Sequence, residues 1–147
     1  MIYLGGPYTS SSTQEHWLNI GRLYVYKIWL NLMKPGSSVI CWPLETCGFD
    51  YGDRLRRFDW LQKALHIASR CDEGYFVPGA QNSPGSVKEM ELFRILERPY
   101  RILIPLAEIE LTQVKAELAH MEEAGTSFYS GPARYYLNSQ EVLSHVK

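Results

Sequence analysis

Short apolar runs that end at glycine or proline alternate with helix-length segments along most of this chain. The apolar runs are Met1–Gly5, Val39–Trp42, Tyr75–Val77 and Arg101–Ile104. The segments between them carry apolar residues three and four positions apart, which is typical of helices that bury one face. Strands that alternate with helices favour a parallel sheet with helices on both faces. We therefore predict an α/β, flavodoxin-like or Rossmann-like three-layer sandwich with a parallel sheet of about five strands.

Capping and turn residues mark the ends of the predicted helices. Ser12 and Glu15 stand at the capping-box interval, and Pro35-Gly36 ends the first helix. The predicted helices span roughly residues 12–34, 53–70, 86–98 and 110–123. The first has a stripe at helical spacing that consists of Trp17, Ile20, Tyr24, Ile28 and Asn31/Leu32. The apolar stripe of the second consists of Phe58, Leu61, Ala64, Leu65 and Ala68. The last strand of the sheet is then either Ser127–Tyr129 or Tyr135–Leu137.

Length and composition favour one domain, residues 1–147, in a reduced, cytoplasmic protein. The net charge is −1, which argues against a basic surface for duplex nucleic acid or an acidic membrane. Three cysteines without a CxxC pair indicate a reducing compartment. We expect Cys41 and Cys71 to be core residues, and Cys47, which has no evident basic partner, to be an inert thiol rather than a nucleophile. No segment resembles a transmembrane helix or a signal peptide. The four histidines form no cluster, so we predict no metal site, and no cofactor is expected.

Irregular, glycine-containing sequence follows three of the predicted strands. These segments are Gly5–Tyr8, Pro43–Gly48 and Pro78–Ser86. The carboxyl ends of parallel strands meet at one edge of a sheet, and ligands of such folds bind beyond that edge. The sequence therefore predicts a functional site there.

Glu89 interrupts the amphipathic pattern of the third predicted helix. It shares a face with Leu92, Phe93 and Leu96, which we expect to pack on the sheet. A carboxylate on the buried side of a helix is costly unless it is paired or used, and a nearby helix N-terminus would keep it ionised. The alternative is a first-turn glutamate that only interacts favourably with the helix dipole.

The loop before that helix offers groups suited to a ligand. Asn82-Ser83-Pro84-Gly85-Ser86 presents hydroxyls and main-chain N–H groups at a helix start, an arrangement that holds phosphates or sugar hydroxyls. The same residues are also typical of an ordinary turn.

Two motifs resemble those of the nucleoside 2-deoxyribosyltransferase-like family. Tyr3-Leu4-Gly5-Gly6-Pro7-Tyr8 is similar to that family's opening YLAGP(Y/F). The stretch from Cys71-Asp72 to Gly79, followed by Ser83-Pro84-Gly85 and Glu89, is similar to its D…LPG…S-x-G-x-x-x-E. The matches keep their order and predicted context over residues 1 to about 105, and residues 105–147 lie mostly beyond them.

The resemblance implies cleavage or exchange of the N-glycosidic bond of a (deoxy)nucleoside or a nucleoside 5′-monophosphate. Glu89 would attack the anomeric carbon and form a covalent glycosyl-enzyme. Tyr3 would orient that carboxylate, although a strand aromatic in the core is an equally good interpretation. Tyr8 would stack on the base. The substrate-binding residues implied are Gly6, Pro7, Tyr8, Gly79, Asn82, Ser83, Gly85 and Ser86. A homodimer or larger homo-oligomer is expected, because related proteins complete their pockets across subunits.

One departure from the family pattern concerns the proton donor. Family members carry an aspartate in the helix before the third strand, where this chain has Ala64. Asp59 is the nearest carboxylate and is our candidate, although it lies about opposite the apolar stripe and could instead pair with Lys63. Asp50, Asp53 or a neighbouring subunit are the alternatives. Asp72 stands at the opposite end of the predicted strand, so we interpret it as structural.

Two other functions remain open from the sequence. The first is a nucleotide-binding module of the same fold that has lost turnover, which the alanine at position 64 favours. The second is a flavodoxin-like domain that uses Ser83–Ser86 for another phosphate ligand.

Overall fold

The sheet of this protein is parallel and has helices on both faces. The computed structural model describes residues 1–8, 10, 12–45 and 54–146, with only the backbone for 54–59. Its strands are β1 (Ile2–Gly5), β2 (Val39–Ile40), β3 (Glu73–Phe76) and β4 (Tyr100–Ile102). They pair in the order β2-β1-β3-β4. The predicted α/β class is thus confirmed, and the architecture is consistent with a flavodoxin-like three-layer fold.

The helices follow the strands in the predicted alternation. They are α1 (Thr13–Met33), α2 (Trp42–Glu45), α3 (Arg54–Ala68), α4 (Pro84–Ile95), α5 (Glu108–Glu123), α6 (Ser130–Leu137) and α7 (Gln140–Leu143), with a 3-10 turn at Ala80–Asn82. Ser12 caps α1 as predicted, since its hydroxyl accepts a hydrogen bond of 3.3 Å from the Glu15 amide. Among the described residues, no helix is long and apolar enough to cross a membrane.

Side chains of β1 alternate between two cores. Ile2 and Leu4 point to the face that packs on α1 and the C-terminal helices, whereas Tyr3 points to the opposite face. There Tyr3 meets Phe76 and Phe93, with ring centroids 6.3 and 6.2 Å away. This period of two is the expected geometry of a strand buried on both sides, and it directs Tyr3 towards α4.

The sheet has four strands in the described residues, so the prediction of about five was one too many. Ser127–Tyr129 is irregular, and Tyr135–Leu137 belongs to α6. The buried residues of α6 are Ala133, Tyr136 and Leu137, at the spacing of a helix rather than a strand.

The helix α6 packs closely against α1. A β-carbon at Gly21 would lie 2.0 Å from the carbonyl oxygen of Pro132, so only glycine permits the observed approach of the two helices. Because the sheet and α5 also pack on α1, residues 19–26 are all buried. Trp17, which lies on the predicted apolar stripe of α1, is instead 44% exposed.

The helix predicted at about residues 86–98 begins two residues earlier and ends three residues earlier in the structure, as α4. α4 starts with Pro84 in its first turn and ends at Ile95, where Glu97 adopts a left-handed φ of 56°. Leu96 is therefore 38% exposed, and the prediction that it packs on the sheet was wrong. The earlier start places Glu89 in the second turn rather than the first.

Residues predicted to be structural occupy structural positions. Cys41 and Cys71 are buried free thiols. Asp72 is exposed at the amino edge of the sheet, where its amide donates a hydrogen bond of 2.8 Å to the Met1 carbonyl. Arg98 donates to the Cys71 carbonyl at 2.8 Å and so ties the end of α4 to the turn before β3. Cys47 lies outside the described residues.

Candidate active site

A cavity of about 540 Å³ opens at the carboxyl edge of the sheet, where the sequence places the site. This volume is within the usual range for small-molecule pockets. The predicted site residues that line it are Tyr3, Gly6, Pro7, Tyr8, Gly79, Asn82, Ser83, Gly85, Ser86 and Glu89. Asp59 is in α3, but its side chain lies outside the described residues. Loops after β1 and β3 and the start of α4 thus form one cavity.

Glu89 and Tyr3 form a buried pair beside this cavity. The Glu89 side chain leaves α4 towards the sheet and is 6% exposed, and Tyr3 is 1% exposed on β1. The Tyr3 hydroxyl donates a hydrogen bond to Glu89 Oε2. β1 and α4 are distant in sequence, and the neighbouring strand β3 brings them together. The expected contact between tyrosine and carboxylate is therefore present in the structure.

Burial raises the pKa of the Glu89 carboxyl to about 8. The expectation that the helix N-terminus keeps Glu89 ionised was therefore wrong. The favourable effect of a helix terminus on a carboxylate fades beyond the first turn, and Glu89 is in the second. At neutral pH the carboxyl is mostly protonated until a ligand or a change of pH stabilises its charge.

Tyr8 is part of the cavity wall and is less accessible than predicted. Its ring is 4% exposed and stacks on Trp60, with centroids 5.1 Å apart and planes inclined by 13°. The His16 ring packs against it edge-on at 5.0 Å. Trp60 therefore covers one face of the Tyr8 ring, the ring that we expected to stack on the base. The sequence pattern did not single out Trp60, because it lies beside the apolar stripe of α3 rather than on it.

The carbonyl of Tyr8 accepts hydrogen bonds from α1. Asn19 Nδ2 lies 3.2 Å from this oxygen, and His16 Nδ1 lies 2.9 Å from it. Asn19 and Glu15 also line the cavity, although sequence reasoning assigned them no role. Asparagine in a helix gives no distinctive local signal, so only the folded arrangement identifies it.

Glycines allow the two loops to approach each other. A β-carbon at Gly6 would lie 2.4 Å from Val77 Cγ2, so the first loop needs glycine at this position. Gly79 adopts a φ of +89°, which turns the chain away from β3 into the 3-10 turn. Both residues shape the wall of the cavity through their backbones.

The polar side chains of the loop 82–86 differ in their exposure. Asn82 is exposed and Ser83 is half-buried at the N-cap of α4, where its side chain makes no capping bond. Ser86 is 1% exposed, and its enclosed hydroxyl has no hydrogen-bond partner among the described residues. The first amides of α4, at Gly85 and Ser86, have no partner inside the helix. Asn82, Ser83 and these amides are the groups a ligand reaches most directly.

The described side chains that line the cavity include acids but no bases. Glu15 and Glu89 are the acidic ones, and no lysine, arginine or histidine is among the lining residues that the structure describes. Asp50 and Asp53 lie outside the described residues. Ala64 is buried at 1% exposure on α3, in agreement with its place on the apolar stripe.

A second, smaller cavity lies on the other side of the loop after β3. Its volume is about 210 Å³, and Gly79 borders both cavities. Tyr26, Tyr136, Glu141 and His145 provide its polar side chains. Among the side chains that the structure describes, those of residues 1–8, 10, 12–45 and 60–146, no group of three or more metal-ligating residues comes together.

The chemical centre of the cavity is thus a buried carboxyl bonded by a tyrosine hydroxyl. Comparisons with family models, curated proteins and solved structures found no match for this chain. Its function has to be inferred from the residues of the site.

Proposed function

We propose that this protein cleaves or exchanges the N-glycosidic bond of a (deoxy)nucleoside or a nucleoside 5′-monophosphate, with Glu89 as the nucleophile. The observation that supports this most strongly is the Glu89 carboxyl, held by the Tyr3 hydroxyl beside a cavity of about 540 Å³. The similarity of the surrounding motifs to nucleoside 2-deoxyribosyltransferase-like proteins points to the same reaction.

The first step forms a covalent intermediate. An oxygen of ionised Glu89 attacks C1′ of the sugar, the C1′–N bond breaks, and its electron pair goes to the base nitrogen, which takes up a proton from a general acid. In the second step, water or another base attacks C1′ and releases the carboxylate. Water gives hydrolysis with loss of one proton, and a base gives exchange.

Tyr3 serves this reaction by holding one carboxylate oxygen. Its hydroxyl donates to Oε2, which favours the ionised form and leaves Oε1 for attack. The ligand itself completes the activation. An oxocarbenium-like sugar brings positive charge close to Glu89, and that charge lowers the pKa of the carboxyl when it is needed.

Asp59 is the proposed general acid. It precedes Trp60 and Leu61, which line the cavity from α3. Asn82, Ser83 and the first amides of α4 are proposed to bind the sugar hydroxyls or a 5′-phosphate, because they combine hydroxyl and N–H groups at a helix start.

A specific observation also supports a second candidate, a nucleotide-binding module without turnover. Ala64 is buried in α3 at the position where the resembled family has an acidic residue. A methyl group transfers no proton, and Glu89 with a pKa of about 8 would then act as a protonated hydrogen-bonding group.

The deciding experiment offers the protein a panel of nucleosides and nucleoside 5′-monophosphates and separates released bases by chromatography. We expect base release from at least one compound, and loss of that release in Glu89→Gln, which keeps the size of the side chain. Glu91→Gln is the matched control, because Glu91 is on the exposed side of the same helix and pairs with Arg94. Binding without release would support the module instead, and release that persists in Glu89→Gln would exclude Glu89 as nucleophile.

A further inference from the structure

Arg22 is a buried cation away from the proposed reaction. It lies on α1, is 9% exposed, and pairs with Glu141 of α7, 119 residues away in sequence. Arg22 Nε lies 2.9 Å from Glu141 Oε2, and Nη2 lies 2.6 Å from Oε1. Burial disfavours the charge of Glu141, but the bonds from Arg22 hold the pKa of its carboxyl below the usual value. A two-bond pair of this kind fixes the position and orientation of the guanidinium.

The third bond of Arg22 determines how Asn19 is oriented. Arg22 Nη1 donates to Asn19 Oδ1 at 2.9 Å. A guanidinium has only donors, so the oxygen of the Asn19 amide must face it and the NH₂ group must point the other way. That group lies 3.2 Å from the carbonyl of Tyr8.

These contacts form one continuous chain from the C-terminal helix to the candidate site. Glu141 fixes Arg22, Arg22 orients Asn19, and Asn19 donates to the end of the loop that forms the cavity wall. The ring of the same Tyr8 supports Trp60, which lines the opposite side of the wall. A displacement of the Tyr8 backbone is therefore expected to move both Tyr8 and Trp60 in the cavity wall.

We propose that Arg22 and Glu141 are positioning residues that hold the Tyr8 side of the cavity in place through Asn19. They do not touch the ligand. Their contribution is to keep the first loop in the conformation that receives it, so the C-terminal helix α7 contributes to ligand affinity.

A direct test observes the Tyr8 carbonyl itself. Tyr8-Thr9 is the only Tyr-Thr pair in the sequence, so labelling with ¹³C-carbonyl tyrosine and ¹⁵N-threonine gives a single cross-peak in a carbonyl–amide NMR spectrum. Loss of a hydrogen bond moves a carbonyl ¹³C signal upfield. Because the contact with His16 Nδ1 remains, the shift is a partial one.

Two variants break the chain at different points. Glu141→Gln replaces one acceptor by an NH₂ group, which leaves a buried Arg22 N–H unpaired and disturbs Asn19. Asn19→Asp keeps an oxygen for Arg22 but has no proton to donate to the Tyr8 carbonyl. Both are expected to move the Tyr8 signal upfield, and Glu123→Gln, an exposed residue at the end of α5, is expected to leave it unchanged.

The outcomes separate positioning from simple stabilisation. If the Arg22–Glu141 pair only fastens α7 to α1, Glu141→Gln lowers the melting temperature while the Tyr8 signal stays in place, and the proposal is overturned. An unchanged signal in Asn19→Asp also overturns it. Should Glu141→Gln fail to fold, Glu141→Asp takes its place, because it keeps the charge but shortens the side chain that holds Arg22, and an unmoved Tyr8 signal in that variant overturns the proposal.

A second test, which rests on the proposed function, measures the kinetics of base release. Glu141→Gln is expected to raise KM for base release by about two- to thirty-fold, the range for substitutions within a coupled network, with a smaller effect on kcat. An unchanged KM together with an unmoved Tyr8 signal contradicts positioning. If no compound releases a base, the proposed function fails, while the NMR shift still tests the network.

Discussion

The carboxyl group of Glu89 lies in a buried site that disfavours its charged form. Burial raises the pKa of this carboxyl to about 8, and the hydroxyl of Tyr3 is the described group that donates to it. A surface glutamate would be ionised at neutral pH and would interact with water instead. In the proposed reaction the sugar brings positive charge close to this carboxyl, and the raised pKa then has consequences for stability and for rate.

Glu89→Gln is expected to change how stability depends on pH. The native state holds the proton of Glu89 between pH 4.5 and about 8, whereas the unfolded state has lost it, so wild-type stability decreases as the pH rises through this window. Glutamine does not titrate. The variant should therefore gain in free energy of unfolding relative to wild type, by a few kcal/mol at pH 8 and above, since one pKa unit corresponds to about 1.4 kcal/mol.

Urea unfolding between pH 4 and 9 measures this difference. Glu91→Gln serves as the control, because Glu91 is exposed on the same helix and its curve should run parallel to wild type. If the free energy of unfolding depends on pH in the same way in wild type and in Glu89→Gln, Glu89 has an ordinary pKa and the prediction fails.

Tyr3→Phe is expected to slow base release without removing the ring from the core. The lost hydrogen bond to a charged group is worth about 1.5–3 kcal/mol, so the rate at neutral pH should fall roughly ten- to a hundredfold. The wild-type rate should rise with pH through about 8, and the variant's rise should move to higher pH, because the ionised carboxylate has lost a donor.

The pH profile of kcat/KM checks this prediction. Tyr24→Phe is the control, since the Tyr24 hydroxyl faces Ser127 at 3.4 Å and does not line the cavity. Equal profiles for wild type and Tyr3→Phe would mean that Tyr3 has a packing role only.

The elements of this fold differ in how far the local sequence determines them. β1 and the loop after it were predictable, because an apolar run and Gly-Gly-Pro together indicate a strand and a turn. Tyr135–Leu137 was ambiguous, because its few residues fit both periods and its packing on α1 decides the structure. Leu96 was predicted to be buried, but α4 ends before it.

The candidate site was predictable where it is formed by local motifs. The loop residues and Glu89 belong to segments with recognisable patterns, and all of them line the cavity. Trp60 and Asn19 escaped prediction because their roles depend on contacts with Tyr8 from separate helices. Pairs such as Arg22 and Glu141, 119 residues apart, leave no signature in a single sequence.

Gly21→Ala is expected to separate α1 from α6. The new β-carbon would lie 2.0 Å from the Pro132 carbonyl oxygen, a backbone atom that moves only with its helix. We expect a loss of about 1–3 kcal/mol in the free energy of unfolding, the usual cost of overpacking. Thermal or urea unfolding measures it.

Gly131→Ala is the matched control for this prediction. It is also a helical glycine, but its β-carbon would meet the ring of Trp17 at 3.3 Å, and that side chain is half exposed and can move. Equal stability changes in both variants would contradict the importance of the α1–α6 contact.

At the scale of the whole molecule, the fold brings three distant parts of the chain to one edge of the sheet. The first loop and the loop after β3 form the cavity, and the C-terminal helices secure α1 behind the first loop. The parallel order of the strands explains this, because their carboxyl ends meet at one edge. We propose that chemistry at this edge proceeds through Glu89.

Trapping the glycosyl-enzyme tests that claim most directly. A nucleoside that releases its base is mixed with the protein, the reaction is stopped with acid, and the digested protein is examined by mass spectrometry. We predict one glycosyl group on the peptide that contains Glu89, and none in Glu89→Gln. Base release with the glycosyl group on another residue, or with the same modification in Glu89→Gln, would contradict the account.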